Sequence, residues 1–281
     1  MVKNMLDFKD REKIEALKEK VPSAYSLEAL KKAFLDVIER NTANLGKCAV
    51  LFSGGIDSTI VAYAVTFRVK NTLLYCCGLP KASSFARAEQ AAKRLGLKLK
   101  KIEINKEKLP ELVKKTIEAI GTQDKLQVQI ALPEFITMQA IKEDSFKVVF
   151  CGQGADELFA GYNGFRFVLK EKGFAGVQEL IWKKLFEIYE RNLKRDLAIA
   201  NYFGLELRAP FLDEEFILQA LAFPPEEKIH SESDLIRKHA LRKLAEALGI
   251  PKKLCYEKKK AIQYDTGLAK EVERILKGRN Q

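Results

Sequence analysis

Cys48-Ala49-Val50-Leu51-Phe52-Ser53-Gly54-Gly55-Ile56-Asp57-Ser58-Thr59-Ile60-Val61 is the stretch on which the fold turns. Its first five residues make a short apolar run of the kind a buried strand needs. From Ile60 the apolar positions Ile60, Val61, Ala64 and Val65 return at helical spacing. Between the two, a pair of glycines permits a tight turn and a close backbone approach, while free amides at the helix start face an anion. That sequence of parts describes a phosphate cradle. The Gly-x-x-x-x-Gly-Lys of a Walker loop is missing, so the loop carries no lysine to steer γ-phosphate transfer. Asp57 would repel phosphate unless a divalent cation sat between them, which implies Mg²⁺. A Gly-Gly turn in which Asp57 and Ser58 merely cap the next helix would read the same way.

Working outward, Thr72 to Gly78, Leu97 to Ile104 and Lys147 to Cys151 are further strand candidates, each separated from the next by helical segments. Strands alternating with helices predict an α/β fold with a doubly wound parallel sheet. Right-handed crossovers then gather the carboxyl ends of the strands on one edge, where ligands bind in such sheets. After Gly161 the strand signals stop, and helices are expected to the end. Before the first strand, Leu27, Leu30, Phe34, Val37 and Ile38 follow helical spacing in a charged segment. The expected division is a helical extension over residues 1–45 and a nucleotide-binding domain over 46–281, with a sheet part to about 160 and a helical part beyond.

With 281 residues, 47% of them hydrophobic, the chain can bury a substantial core without staples. No apolar run approaches the roughly 18 residues of a membrane span, and no leader pattern opens the chain, so a cytoplasmic protein is expected. Five cysteines without a C-x-x-C pair suit reduced thiols. His230 and His239 stand apart in sequence from any cysteine or carboxylate cluster at metal-ligand spacing, which argues against zinc. The net charge of +11 raises nucleic acid as a partner, but the lysines are dispersed among glutamates as on solvated helix faces. Lys252-Lys253 and Lys258-Lys259-Lys260 cluster, and such a cluster serves a small polyphosphate as well as a duplex.

A second motif, Cys151-Gly152-Gln153-Gly154-Ala155-Asp156-Glu157-Leu158-Phe159-Ala160-Gly161-Tyr162, also follows an apolar run directly. Alternate glycines and an acidic pair at a strand's carboxyl end suit a loop that binds nucleotide and metal. A third segment contains Asn192, Arg195, Asp196 and then Gly204-Leu205-Glu206-Leu207-Arg208-Ala209-Pro210-Phe211-Leu212-Asp213. Here Arg195, Asp196 and Arg208 read equally as a buried ion network.

Ser53 to Ser58 resembles the pyrophosphate loop of the N-type ATP pyrophosphatases. The later motifs, in the same order, resemble the synthetase domain of the asparagine synthetases over about residues 46–267. The resemblance implies a fold of the adenine nucleotide alpha hydrolase-like type. It also implies a reaction in which ATP is split between its α- and β-phosphates, aspartate is activated as an acyl-adenylate, and ammonia displaces AMP. In that scheme Ser53, Gly54, Gly55, Asp57 and Ser58 hold pyrophosphate, and Asp57 and Asp156 hold Mg²⁺. Adenine lies against Leu51, Cys77, Gly78, Cys151 and Gly152. Gln153, Arg208, Asp213 and Lys259 are the catalytic candidates, with Lys259 reaching the α-phosphate and Lys258 or Lys260 as alternatives one residue away. Cys76 and Cys77 read as strand residues on alternate faces rather than the thiol pair of a tRNA thiolase.

Two departures matter. The chain reads as lacking the amidotransferase domain, so ammonia is expected from solution or from a separate glutaminase partner. Gln153 occupies the place of the glutamate proposed to accept the proton of attacking ammonium, and an amide cannot take that proton. Glu206 is a conceivable substitute. The alternatives are a sister ligase joining another acid and amine, as in the β-lactam synthetases, or a non-catalytic ATP-binding subunit.

Overall fold

The computed structural model describes residues 6–257 and 266–278. Two helices, α1 (Arg11–Lys20) and α2 (Leu27–Thr42), precede the first strand. Strands and helices then alternate as β1 (Lys47–Leu51), α3 (Ile56–Arg68), β2 (Asn71–Gly78), α4 (Ser83–Leu95) and β3 (Leu99–Glu103). Helices α5 (Leu109–Ile120) and α6 (Lys125–Glu143) lead to β4 (Val148–Phe150) and the short α7 (Ala155–Leu158). The remainder is α8 (Gly164–Ile188), α9 (Lys194–Tyr202), β5 (Glu206–Arg208), α10 (Glu214–Ala222), α11 (His239–Ala247), α12 (Lys252–Cys255) and α13 (Leu268–Gly278).

The strands form one sheet in the order β3-β2-β1-β4-β5, and every pairing is parallel. The expected doubly wound α/β architecture is therefore present. β1 is central and its residues Cys48, Ala49 and Val50 are fully buried, as expected for a strand covered on both faces. Consecutive residues of β2 serve opposite faces: the Cys76 thiol lies 3.8 Å from the Ser84 carbonyl on α4, and the Cys77 thiol 3.3 Å from the Pro133 carbonyl on α6. That is the alternation read from the sequence, and burial pushes the Cys77 thiol up to about 12.

β5 departs from expectation, since strand signals were expected to end at Gly161. Three residues, Glu-Leu-Arg, are too few to display a period of two, and the strand exists because Val148, Val149 and Phe150 offer it a ladder. α2 is built as its spacing required. Ser26 caps its start by accepting from the Ala29 amide at 3.3 Å, and Leu30, Phe34, Val37 and Ile38 are buried. Each such side chain contributes roughly 1.5–3 kcal/mol. Phe34 packs against Phe211 and Phe216 at 5.5 and 5.6 Å, so this helix is part of the core beside the 210–216 segment. Among the described residues no helix is long and apolar enough to cross a membrane.

Candidate functional site

The chain winds from β1 through β2 to β3 in one direction, then returns to place β4 on the other side of β1. The carboxyl ends of β1 and β4 therefore flank the topological switch point, where such sheets open a crevice. A cavity of about 190 Å³ lies there, lined by Leu51, Ser53, Asp57, Ser58, Cys76, Cys77, Cys151, Gly152, Gln153 and Asp156. The two sequence motifs, about a hundred residues apart, are thus its two walls.

Hydroxyl groups set the shape of the first loop. The Ser53 amide donates to Ser58 Oγ at 3.2 Å, Ser58 Oγ reaches the Gly55 carbonyl at 3.2 Å, and the Gly55 amide donates to Ser53 Oγ at 3.3 Å. Gly54 takes φ +70°, and a Cβ there would stand 2.9 Å from the backbone of Arg87 and Ala88, so the loop is pressed against α4. The Arg87 guanidinium closes the contact, donating to the Ser53 carbonyl at 2.9 Å. Gly152 marks where the two loops meet: a Cβ on it would lie 2.9 Å from the Asp57 side chain.

The acidic residue of each loop is held by one cation. Lys238, at the start of α11 and 1% exposed, directs its ammonium to both Asp57 oxygens at 2.7 and 2.6 Å and to Asp156 Oδ1 at 2.8 Å. Burial alone would lower its pKa, but the charges of Asp156 and Asp57 outweigh that and raise it. Arg237 and Lys238 both adopt positive φ, at +52° and +57°, a conformation costing about 1–3 kcal/mol per non-glycine residue that persists only where the surroundings over-determine it. Asp234 supplies part of that constraint, accepting from the amides of His230, Ile236 and Arg237 at 2.9–3.1 Å and from His239 Nε2 at 2.7 Å. These bonds draw its pKa down to about 2 against the opposing effect of burial. Arg242 supplies more, binding the carbonyls of Ile236 and Arg237 at 2.8 and 2.7 Å and those of Cys255 and Glu257.

A smaller space of about 60 Å³ adjoins the first, bounded by Ser53, Gly54, Gly55, Arg87, Lys238 and Arg242 among others. Three cationic side chains therefore border the Ser53–Ser58 loop from outside it. Sequence reasoning missed all three, because Arg87, Lys238 and Arg242 sit in segments that read as ordinary basic helices.

The remaining candidates divide. Gly78 ends β2, tightly packed against Ala82 and Ser84. Arg208 is not brought to the cavity. Its guanidinium binds Glu206 at 2.8–2.9 Å and the Asn41 carbonyl, and it tethers β5 to the end of α2. Asp213 is likewise elsewhere, capping α10 through the Glu215 amide at 3.1 Å and pairing with Arg40 at 3.1 Å. Lys259, with Lys258 and Lys260, lies outside the described residues. The fold also joins what sequence spacing separated: the rings of His230 and His239 stack at 3.5 Å and 8°, beside Asp234. Parallel rings aim their in-plane lone pairs side by side rather than at one point, and Asp234 is engaged by the turn, so the trio reads as the lock of the Lys238 segment.

A cavity end opposite in character is made by α6 and α9. Glu134 and Asp196 both line it. Asp196 accepts from Arg195 Nε at 2.8 Å and Nη2 at 2.6 Å, while Arg195 Nη1 reaches Gln127 at 3.1 Å. Glu134 Oε2 is shielded from solvent and has no hydrogen-bond partner among the described residues. Its pKa is raised well above the carboxylate range, first by burial and then by the Asp196 charge. The signal was present in the sequence: Glu134 is the sole charged residue between Lys125 and Lys142.

The asparagine synthase family profile matches residues 29–178 and 169–280. The chain belongs to the asparagine synthase family. Among curated relatives, a Methanocaldococcus jannaschii protein provisionally named glutamine-hydrolyzing asparagine synthetase 1 is 31% identical over 279 residues, covering 89% of this chain and 51% of that protein. Glutamine-hydrolyzing asparagine synthetases of Asparagus officinalis and Arabidopsis thaliana are 30% and 28% identical, each over 89% of this chain and 44% and 45% of theirs. The chain thus spans about half the length of the curated relatives it matches. Among solved structures, NMN synthetase from Francisella tularensis has a TM-score of 0.43 and 11% identity, over 90% of this chain and 87% of that one. As an asparagine synthase family member, the chain carries the two motif loops at adjoining strand ends, with Asp57 and Asp156 converging on one ammonium. Such a donor set suits Mg²⁺, which takes one or two protein carboxylates and completes its shell with water and phosphate oxygens.

Proposed function

We propose that this chain is an ATP-dependent carbon–nitrogen ligase that activates a carboxylate, aspartate in the first instance, as acyl-AMP with release of pyrophosphate, and then transfers the acyl group to ammonia. The observation that carries the reading is the convergence of the Ser53–Ser58 and Cys151–Asp156 loops on one cavity at the switch point, tied by Lys238.

Residues of the chain divide the work. The amides of Gly54 and Gly55 and the hydroxyls of Ser53 and Ser58 would cradle the departing pyrophosphate, with Arg87 behind the loop adding positive potential. Adenine would lie against Leu51, Cys77, Cys151 and Gly152, which line the cavity, with Gly78 next to Cys77 at the end of β2. Asp57 and Asp156 would hold Mg²⁺, which when bound neutralises charge on the leaving pyrophosphate. Lys259 would reach the α-phosphate. Ammonia would come from solution or from a glutaminase partner, in a cytoplasmic setting that fits five buried cysteines, none in a disulfide.

Incubation with ATP, Mg²⁺, aspartate and an ammonium salt should release AMP, pyrophosphate and asparagine in equal amounts. Appearance of ADP and phosphate would overturn the mechanism. Pyrophosphate formed with another acid, and none with aspartate, would favour the second reading that Gln153 supports, a sister ligase with a different acid or amine.

A further inference from the structure

Gln153 leaves this cavity without the carboxylate that the resemblance assigns to proton transfer, yet the cavity has carboxylates of its own on another wall. Glu206 is not among them, for its side chain is held by Arg208. Glu134 and Asp196 are, contributed by two neighbouring helices and lining the same space as Gln153. We infer that the Glu134–Asp196 pair is the amine-receiving end of the cavity, binding the incoming ammonium or primary amine as a cation and taking its proton on Glu134. This rests on the ligase reading above.

The geometry carries the assignment. Glu134 and Asp196 line the same cavity wall, and burial and then the Asp196 charge raise the Glu134 pKa, so a positive charge beside Glu134 is favoured. Arg195 supplies one positive charge, and spends it on Asp196. Glu134 lines the cavity, its Oε2 has no donor among the described residues, and an ammonium ion held there would face its carboxyl group. A cation arriving there faces the Glu134 carboxyl group and favours its carboxylate form.

The chemistry then balances. An N–H bond of the bound R–NH₃⁺ breaks and its proton passes to the Glu134 carboxylate, freeing the nitrogen lone pair. That pair forms the C–N bond to the acyl carbon. The C–O bond to phosphate breaks with its electrons remaining on AMP, and the second N–H proton leaves with AMP or solvent. A base is most effective when its affinity for protons approaches that of the acid it serves, and an ordinary carboxylate is far too weak to deprotonate ammonium readily. Burial and the Asp196 charge shift Glu134 in the useful direction. The charged and titratable groups facing Glu134 are Asp196 and Arg195 from α9, Cys77 from β2 and Cys151 from the end of β4.

Glu134→Gln keeps the shape and removes the base. With aspartate as the acid, three rates separate the possibilities: carboxylate-dependent ATP–pyrophosphate exchange, amide formation from ammonium, and hydroxamate formation from hydroxylamine, which is largely unprotonated at neutral pH. The variant should lose ammonium-dependent turnover about a hundredfold while exchange and hydroxamate formation stay within about threefold. Adding Gln153→Glu to it should restore most of the ammonium rate, since a carboxylate returns to the same cavity. Equal loss of all three rates would assign Glu134 a structural role, and an unchanged ammonium rate would overturn the inference. Glu134→Asp, which keeps an acid at the site, guards against a folding defect: it should retain ammonium turnover well above Glu134→Gln, and parity of the two would also overturn it. Absence of exchange in the unmodified protein would overturn the ligase reading itself.

Discussion

Two pairs of carboxylates border the same cavity, and each is served by one buried cation. Lys238 divides its ammonium between Asp57 and Asp156, at 2.6–2.8 Å from both. Arg195 gives its fork to Asp196 and leaves Glu134 aside. The difference follows from shape: an ammonium on a flexible stem is a point charge that two acids can share, whereas a guanidinium commits a planar face to one. The first pair is therefore compensated at both of its members and the second at one. Proximity of acids in a site says little until the placing of the counter-charge is known.

The comparison breaks most sharply at Lys238. Lys238→Met strands two ionised groups and should cost about 3–5 kcal/mol in urea denaturation at neutral pH. The ion pairs lost with the ammonium need charged carboxylates, so this deficit should shrink as pH falls through the ordinary carboxylate range. A deficit independent of pH would mean that the lysine acts through packing alone.

A third buried cation sharpens the contrast from the other side. Lys228 is fully buried with no hydrogen-bond partner for its ammonium among the described residues, and burial lowers its pKa to about 7. An unfolded chain holds this proton up to about 10.4, so the lysine costs stability at neutral pH and ceases to do so as pH rises toward 10. Lys228→Met should stabilise by on the order of 3 kcal/mol at pH 7, with the gain vanishing near pH 10. Thermal melts at both values would decide it, and equal gains at both would show that the buried charge was not the cause.

The smallest effect is expected at the second pair. Arg195→Met should destabilise by only about 2 kcal/mol, because its guanidinium is paired with a single carboxylate. If its cost equalled that of Lys238→Met, the two pairs would not differ as argued.

What the sequence disclosed was whatever is contiguous. Strands β1 to β4 emerged within a residue or two of their observed ends, and both loops were identified, because glycine spacing and apolar runs are local. β5 was invisible since three residues carry no period. Lys238 was hidden for a different reason: its function depends on a left-handed backbone turn held by Asp234 and Arg242, and nothing in Arg-Lys-His announces that turn. Arg208 and Asp213 were the converse case. Their motif is conspicuous, but its charges are consumed by Glu206, Asn41, Arg40 and the start of α10, and the cavity does not receive them. Glu134 could have been noticed as a lone acid in an apolar helix, although only the fold reveals that this face meets Asp196.

The ordering of the strands also bears on how the protein behaves among its neighbours. A sheet of five strands has two free margins, here β3 and β5, and unpaired backbone along a margin invites another chain to add a strand. One margin is studded with the exposed Lys100 and Lys101; the other is three residues long and ends at the Arg208 tether. Among the described residues, the lysines of one margin and the shortness of the other both work against strand addition by a second molecule.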